Sequence, residues 1–442
     1  MAENLIGVNS VFADCGCVVP VFHAGWRERN GRVPIAAKSS PELVRQQNRA
    51  LVLSALRLHT RMAHTQISDA TGLASATVSA ITADLERAGV IERSEILSGV
   101  GRGRPRVLFS QRRDYGYLAL IVISSDTIEY SLVDYAGTLL DRFVEPRGEG
   151  GPSIFLQQIS AALQRLLARS SIGHDQLLLV SASSKGLVDP ARPVLLWSPV
   201  FGAQSVDFSH AMQPGWRVLL SNETLLVAGA LMDREQRRRA DEAMPLHPVE
   251  RRLAALSLGH SIGLGIARSS ASGVTEILAP NFGHMLHAAG GGLCRCGARG
   301  CVEAYAGFYA ILRNAFEVPS DTVPAKFVPV TEVDKIAVRA RQGARQAIQA
   351  FRQAGLALGN GLSRLTSLHG SMPVFITGLG ARYYDLLHEG LCDGLAESHV
   401  VRFGGMPEVT LVADEPSLVF EGHLSCAFAI VDQRIAGSAG QP

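Results

Sequence analysis

The sequence predicts a multidomain protein in which an N-terminal winged helix-turn-helix precedes two α/β lobes, and three observations carry that prediction. At 442 residues the chain exceeds one ordinary domain. Residues 41–113 hold three short helical patterns followed by an arginine-rich hairpin, Gly101-Arg-Gly-Arg-Pro-Arg106. After Tyr115, strand-like runs alternate with amphipathic helical stretches in two successive series. With 47% hydrophobic and 19% charged residues, the composition supplies a large core and argues against general disorder.

Residues 1–40 lack helical or strand periodicity and read as a poorly ordered arm. From Pro41, Leu43, Val44, Ala50, Leu51, Leu53 and Leu56 fall near helical spacing and predict a first helix. A second helix is expected from about Thr65, its N-cap, with Ile67 and Ala70 inward. Gly72 supplies the turn, because it adopts positive φ at little steric cost. The third helix, from about Ser75 to Arg87, is expected to bury Val78, Ile81 and Leu85 and to turn Thr77, Ser79 and Thr82 outward. Val90-Ile91 and Val107–Phe109 read as strands flanking the hairpin.

The body divides into lobes at 114–232 and 233–442. Strands are expected at Leu118–Ile123, Ile128–Val133 and Leu177–Val180, with a helix over Ile154–Leu167. The second series has strands at Leu253–Leu258, Pro373–Thr377 and Val409–Val412 and a closing helix from about Ser417. Residues 225–250 read as a surface connection between the lobes.

Charge separates the ends of the chain. The net charge is only +2, yet residues 1–115 carry 15 Lys+Arg against 10 Asp+Glu and the remainder 27 against 30. Seven arginines fall between Arg87 and Arg113. A basic end on a nearly neutral chain predicts a polyanion partner for that end. In double-stranded DNA, the small hydroxylated face of Ser75, Thr77, Ser79 and Thr82 suits close approach to the major groove. Arg102, Arg104 and Arg106 suit phosphates or a narrow minor groove.

Seven cysteines, odd in number and partly clustered, read as cytosolic thiols or metal ligands rather than a disulfide framework. No apolar run reaches the roughly 18–20 residues of a membrane span, and the N-terminus lacks the pattern of a secretory signal; a cytoplasmic location is expected. The sharpest chemical motif is Cys294-Arg-Cys296-Gly-Ala-Arg-Gly-Cys301, with His284 ten residues upstream as the candidate fourth ligand. Three thiolates and an imidazole make a closed structural Zn2+ set.

Together, the basic winged helix, the α/β lobes, Gly283-His284 and Cys294–Gly307 (CRCGARGCVEAYAG) resemble the ROK family of sugar-responsive repressors and sugar kinases. The resemblance spans about residues 41–436. It implies an actin-like, hexokinase-like (ASKHA) body with a sugar cleft between the lobes. It also implies sugar-binding positions at Asn222, Glu223, Asn281, His284 and Glu303. Asn281 stands where the family's motif has Glu, Glu223 where the catalytic base is Asp, and Lys185-Gly186 where a Pro-Gly loop is usual.

The kinase phosphate turns depart further. Val122–Thr127 lacks glycine, and Gly259-His-Ser-Ile-Gly263-Leu-Gly265 carries bulky His260 and Ile262. Phosphoryl transfer needs a carboxylate base and open turns around the ATP phosphates, and displacing a reacting group by about 1 Å costs about 100-fold. The expectation is a non-catalytic, sugar-responsive DNA-binding regulator, most simply a repressor, acting as a homodimer or homotetramer. Its rivals are an ATP-dependent sugar kinase with an accessory DNA-binding domain and a ligand-independent DNA-binding regulator.

Overall fold

The structure, a computed structural model, describes residues 41–96, 106–241, 251–270, 275–325 and 327–438. Three helices, α1 (Pro41–His59), α2 (His64–Thr71) and α3 (Ser75–Arg87), precede the strands β1 (Ile91–Ile96) and β2 (Arg106–Gln111). The strands pair antiparallel from Ile91–Gln111 to Ile96–Arg106. This is a winged helix-turn-helix whose core is Val52, Leu53, Leu56, Ile67, Val78, Leu85 and Phe109. Leu43, Val44 and Leu51 do not join that core; they are exposed, because α1 turns Val52, Leu53 and Leu56 inward instead.

The start of α2 also differs from the sequence reading, whereas α3 begins at Ser75 as expected. Thr65 is not the cap of α2: the helix begins at His64, and the Gln66 side chain accepts from the Ala63 amide at 2.9 Å. At α3 the cap position is Ala74, with no side-chain hydrogen bond. Gly72 closes α2 with φ of 70°.

The first lobe opens with a meander, β3 (Tyr117–Ile123), β4 (Thr127–Asp134) and β5 (Leu139–Pro146). Helix α4 (Pro152–Arg169) carries the chain to β6 (Leu177–Ser184), parallel to β3. A small sheet of β7 (Leu187–Val188), β8 (Val194–Trp197) and β9 (Val206–Asp207) intervenes before β10 (Val218–Asn222), which lies parallel to β6. Helix α5 (Glu223–Asp241) ends the lobe.

The second lobe repeats this plan with β11 (Arg251–Ser257), β12 (Gly263–Ser269) and β13 (Thr275–Leu278). Helices α6 (Glu303–Ala306), α7 (Phe308–Ala315), α8 (Val330–Arg341) and α9 (Arg345–His369) follow. The chain then runs through β14 (Val374–Thr377), α10 (Tyr384–Ala396), α11 (His399–Gly404), β15 (Val409–Leu411) and α12 (Glu415–Ser438). The sheet orders β10-β6-β3-β4-β5 and β13-β12-β11-β14-β15 are the same topology read from opposite edges. A meander followed by two parallel strands, twice over, is the duplicated architecture of the sugar-kinase fold.

Each lobe's last helix packs on the other lobe. α5 lies on β11 and β12, whereas α12 lies on β6 and β3 and against α5. At their crossing, a Cβ on Gly422 would land on the carbonyl of Leu226, so only glycine permits this approach. The expected surface connection at 225–250 is therefore not a loop where it begins: Leu225 to Met232 are buried in this crossing, and the helix runs to Asp241. Likewise α12, assigned to the second lobe by chain order, joins the first-lobe sheet and the winged helix in one apolar core through Ala427, Phe428, Val431 and Ile435. Among the described residues no helix is long and apolar enough to cross a membrane.

Candidate functional site

On α3, Ser75 and Ser79 are exposed and Thr77 is half-buried. Thr82 does not face outward. It is 1% exposed, donates to the Val78 carbonyl at 2.9 Å and lies 2.8 Å from His64 Nε2, tying α3 to α2. His64 in turn stacks on Phe109 of β2 with ring centroids 4.6 Å apart. Thr82 is thus a core residue of the reader, and the outer face is Ser75, Ala76, Ser79, Ala80 and Ala83. Arg102 and Arg104 lie outside the described residues, as does the side chain of Arg106 at the start of β2.

His284, Cys294, Cys296 and Cys301 come together with their ligand atoms all within 4.8 Å of one another. Cys294 Sγ lies 3.6 Å from His284 Nδ1, and Cys296 Sγ lies 3.7 Å from Cys301 Sγ. Metal bonds of about 2.0–2.3 Å in a tetrahedron give edges of about 3.5–3.8 Å, so the set fits one such cation. Tyr309 Oη donates to Cys294 Sγ at 3.6 Å. At Gly300, φ is 80° and a Cβ would collide with the Ala288 carbonyl, so the loop's path demands glycine there. Burial raises Cys294 to about 11 and raises Cys301 as well, while it lowers His284. Cys294, Cys301 and His284 therefore favour their neutral forms until a dication displaces the thiol protons.

Between the lobes, strand register does the assembly. Ser184 of β6 pairs with Asn222 of β10, which places the next residues, Lys185 and Glu223, side by side. Lys185 Nζ lies 3.3 Å from Glu223 Oε1. Burial raises the Glu223 pKa against the opposing pull of Lys185. The lysine's own pKa is lowered by burial, but the carboxylates of Glu223, Glu415 and Glu303 outweigh that and raise it. Asn222 is committed to backbone: its Nδ2 donates to the Gly186 carbonyl at 2.5 Å and its Oδ1 accepts from the Thr224 amide at 2.9 Å, capping α5.

Glu303, 2% exposed at the start of α6, accepts from the Ile262 amide at 3.2 Å through Oε2, while its Oε1 is buried without a partner. Burial, opposed by Arg295 and the Ile262 amide, pushes it up to about 7. His284 stands edge-on to Trp197 at 5.2 Å, a contact from the small sheet of the first lobe to the metal loop of the second. Asn281 is exposed, opening the turn Phe282–His284. Lys185, Trp197 and Arg295 were not singled out as site residues by the sequence reading. Arg295, between two cysteine ligands, donates to the His260 carbonyl at 2.8 Å and stacks over Tyr309 at 4.7 Å.

The kinase-like turns face a cleft of about 850 Å3 between the lobes, lined by Ser124 to Thr127 on one side and by Leu258 to Ser261 on the other. The glycines retained in the second turn serve packing. A Cβ on Gly263 would strike the Thr224 side chain, and one on Gly265 the Thr224 carbonyl of α5. Gly378, with φ of 87°, passes the Leu258 carbonyl in the same way.

One helix joins this cleft to the reader. Glu415, Pro416 and Val419 of α12 line the cleft, and more than three turns beyond Val419 on the same helix Asp432 takes Arg57 of α1 through both oxygens, at 2.5 and 2.7 Å. Arg57 also donates to the Tyr135 carbonyl at 2.8 Å and lies over the Phe428 ring at 3.5 Å. Tyr135 Oη completes the network at 2.6 Å from Asp432.

A winged helix anchored on a duplicated two-lobed α/β body, with a Cys3His cluster beside the cleft, defines a transcription-factor-like reader on a sugar-kinase scaffold. Residues 123–381 match the model of the ROK family and residues 46–92 that of a winged helix-turn-helix DNA-binding domain. The chain belongs to the ROK family.

Among its relatives is a xylose repressor of Caldicellulosiruptor bescii, 22% identical over 79% of this chain and 87% of that protein. A glucokinase of Streptomyces coelicolor is 26% identical over 58% of this chain and 80% of its own. Of solved structures, a ROK family transcriptional regulator described as a homologue of the E. coli MLC protein superposes with a TM-score of 0.68. It is 16% identical and covers 89% of this chain and 99% of that one.

Proposed function

We propose that this protein is a sugar-responsive DNA-binding repressor whose ROK body senses a ligand and no longer phosphorylates it. The observation that carries this reading is α12, whose first turn lines the cleft while its later turns hold α1 of the reader through Arg57–Asp432. A change in lobe closure moves α12 against β6 and α5, and thereby moves α1. Ligand shifts that equilibrium only through different affinity for the two arrangements. Relatives bearing the name xylose repressor support the direction of control and a sugar effector.

In this reading Ser75, Thr77 and Ser79 meet base edges, and Arg102, Arg104 and Arg106 of the wing meet phosphates. Glu303, with its unpartnered buried oxygen, His284, Asn281 and Trp197 hold sugar hydroxyls. Zn2+ on His284, Cys294, Cys296 and Cys301 fixes the loop that presents His284 and Glu303. Glu223, paired with Lys185, is a strut rather than a base. The protein works in the cytoplasm as a homodimer or homotetramer on a palindromic operator.

The test is sequencing of genomic fragments retained by the purified protein at physiological salt, beside an Arg102/Arg104/Arg106→Ala variant. A panel of free sugars is then added to the recovered sites. Recurrent sites lost by the variant and released by one sugar are expected. Retention without sequence preference would refute the reader, and recurrent sites that no sugar releases would refute the sensor.

A further inference from the structure

The inter-lobe cleft has a chemistry of its own. At about 850 Å3 it lies within the size range of small-molecule sites, yet Asn281, His284 and Glu303 are not among its lining residues. Its walls are chiefly apolar: Val122 and Val144 from the first sheet, Leu258, Phe327 and Leu379 from the second lobe, and Val419 from α12. Phe327 stacks on His260 at 4.8 Å and keeps nearly half its surface exposed, offering a ring face.

Its charges are unbalanced toward acid. The lining cations are both engaged, Lys185 by Glu223 at 3.3 Å and Arg382 by Asp334 at 3.8 Å. Of the lining carboxylates, Glu223 has Lys185 and Glu129 has Arg142 at 3.3 Å. Asp126 and Glu415 have no ion-pair partner among the described residues, and Glu415 Oε1 is buried without any hydrogen bond. The lining histidines add no positive charge, since burial lowers His260 to about 4 and His423 to about 3. A polyphosphate entering here meets Asp126 and Glu415, neither in a direct ion pair, while the nearby Lys185 is already shared among Glu223, Glu415 and Glu303, a repulsive arrangement in a partly desolvated space.

We infer that this cleft is a separate ligand site for a small organic amine, its ammonium between Asp126 and Glu415 and its apolar body against Phe327 and Val419, and that it turns away nucleotides. The ammonium gains charge-assisted hydrogen bonds from acceptors that otherwise lack partners, and the aromatic face adds cation–π attraction. Glu415 is the first residue of α12, so occupancy is felt at the helix that grips the DNA reader. The inference stands whether or not the neighbouring residues take a sugar.

The test uses the full-length protein with four probes: phenethylamine, phenethyl alcohol, 3-phenylpropionate and Mg2+-ATP. Calorimetry and thermal unfolding at millimolar concentration read binding, since a ligand of the native state raises the unfolding midpoint. The amine is expected to bind at least about tenfold tighter than the alcohol, the advantage of one unscreened charge contact. The two anions are expected to give no shift. Glu415→Gln and Asp126→Asn, isosteric changes on separate elements, should each narrow the gap between amine and alcohol.

Equal binding of amine and alcohol, a shift by ATP as large as the amine's, or an amine preference unchanged in both variants would each overturn the inference. So would the absence of binding by all four probes. Sugar-dependent release of DNA is measured in parallel, so failure of the sugar reading and failure of the amine site are separate results.

Discussion

Lys185 Nζ stands 3.3 Å from Glu223 Oε1, the residue that the family resemblance aligns with a sugar kinase's carboxylate base. The pairing turns a would-be proton acceptor into half of an ion pair, and a base must be free to reach the hydroxyl proton it removes. Purified protein with hexoses or xylose and Mg2+-ATP is therefore expected to show no ATP consumption above background. Glu223→Asp, which restores the shorter side chain, should not create it. ATP consumption that disappears in Glu223→Gln would return the kinase reading to first place.

The same pair makes a stability prediction. Removing the lysine alone, as Lys185→Met, leaves a buried carboxylate unpaired and is expected to cost about 1–3 kcal/mol. That range is discounted from the fully buried case because the lysine side chain is partly exposed. The double variant Lys185→Met/Glu223→Gln should recover much of that loss. Urea unfolding of the two singles and the double measures the coupling; strict additivity would show that the pair contributes nothing.

Arg57 and Asp432 make the second coupled pair, and here the readout is regulation. Asp432→Asn leaves the shape of the α1–α12 contact and removes its charge, exposing the buried Arg57 guanidinium to a neutral partner. A loss of about 2–3 kcal/mol in stability is expected from a part-buried, hydrogen-bonded pair. DNA affinity without ligand should change less than the response to ligand, because the base-reading face lies on α3. A variant that binds DNA and responds to ligand like the parent would remove α12 as the connection.

Thr82 and Ser79 lie three residues apart on α3 and predict opposite phenotypes. Thr82→Val keeps the volume but removes the bonds to the Val78 carbonyl and His64, costing about 1 kcal/mol of stability. Ser79→Ala, on the exposed face, should leave stability within about 0.5 kcal/mol while altering which fragments are retained. The reverse pattern would mean that the helix presents its other face to DNA.

These contrasts show where sequence reading succeeds and where it stops. The winged helix and the strands β3, β4, β6, β11, β14 and β15 were legible because periodicity is local, and the Cys294–Cys301 cluster because it sits within one short loop, whereas β5, β10, β12 and β13 were not named. Thr82 was misplaced because a helical wheel contains no α2 to pack against it. The Lys185–Glu223 pair was invisible because it depends on parallel register between β6 and β10, strands separated by an inserted small sheet. The exchange of α5 and α12 between lobes was hidden for the same reason: chain order does not reveal which sheet a helix covers.

The metal cluster predicts a graded failure. The purified protein should carry one zinc per chain by elemental mass spectrometry, and Cys296→Ser should lower metal affinity by more than about 100-fold, since even outer-shell changes cost 10–100-fold. Because the cluster belongs to the second lobe, its loss should weaken the ligand response before it affects folding of the winged helix. Full induction by a Cys296→Ser protein containing no metal would separate the cluster from sensing altogether.

His423 supplies a pH dependence with a definite sign. It lies fully buried on α12 with Nδ1 2.8 Å from Ser181 Oγ and Nε2 2.9 Å from Ser183 Oγ, and burial holds it at about 3. The unfolded chain takes up this proton near the usual 6.5, so the native state gains from the neutral ring above that value and loses the gain as pH falls from about 6.5 toward 3. The slope is about 1.4 kcal/mol per pH unit for one such group. Urea unfolding between about pH 6.5 and 4.5 should thus be steeper in pH for the parent than for His423→Gln by about that amount. The comparison cancels the carboxylates and the other histidines, which both proteins share. Parallel slopes would mean that the imidazole finds a proton inside the fold, with one serine turning its oxygen to accept.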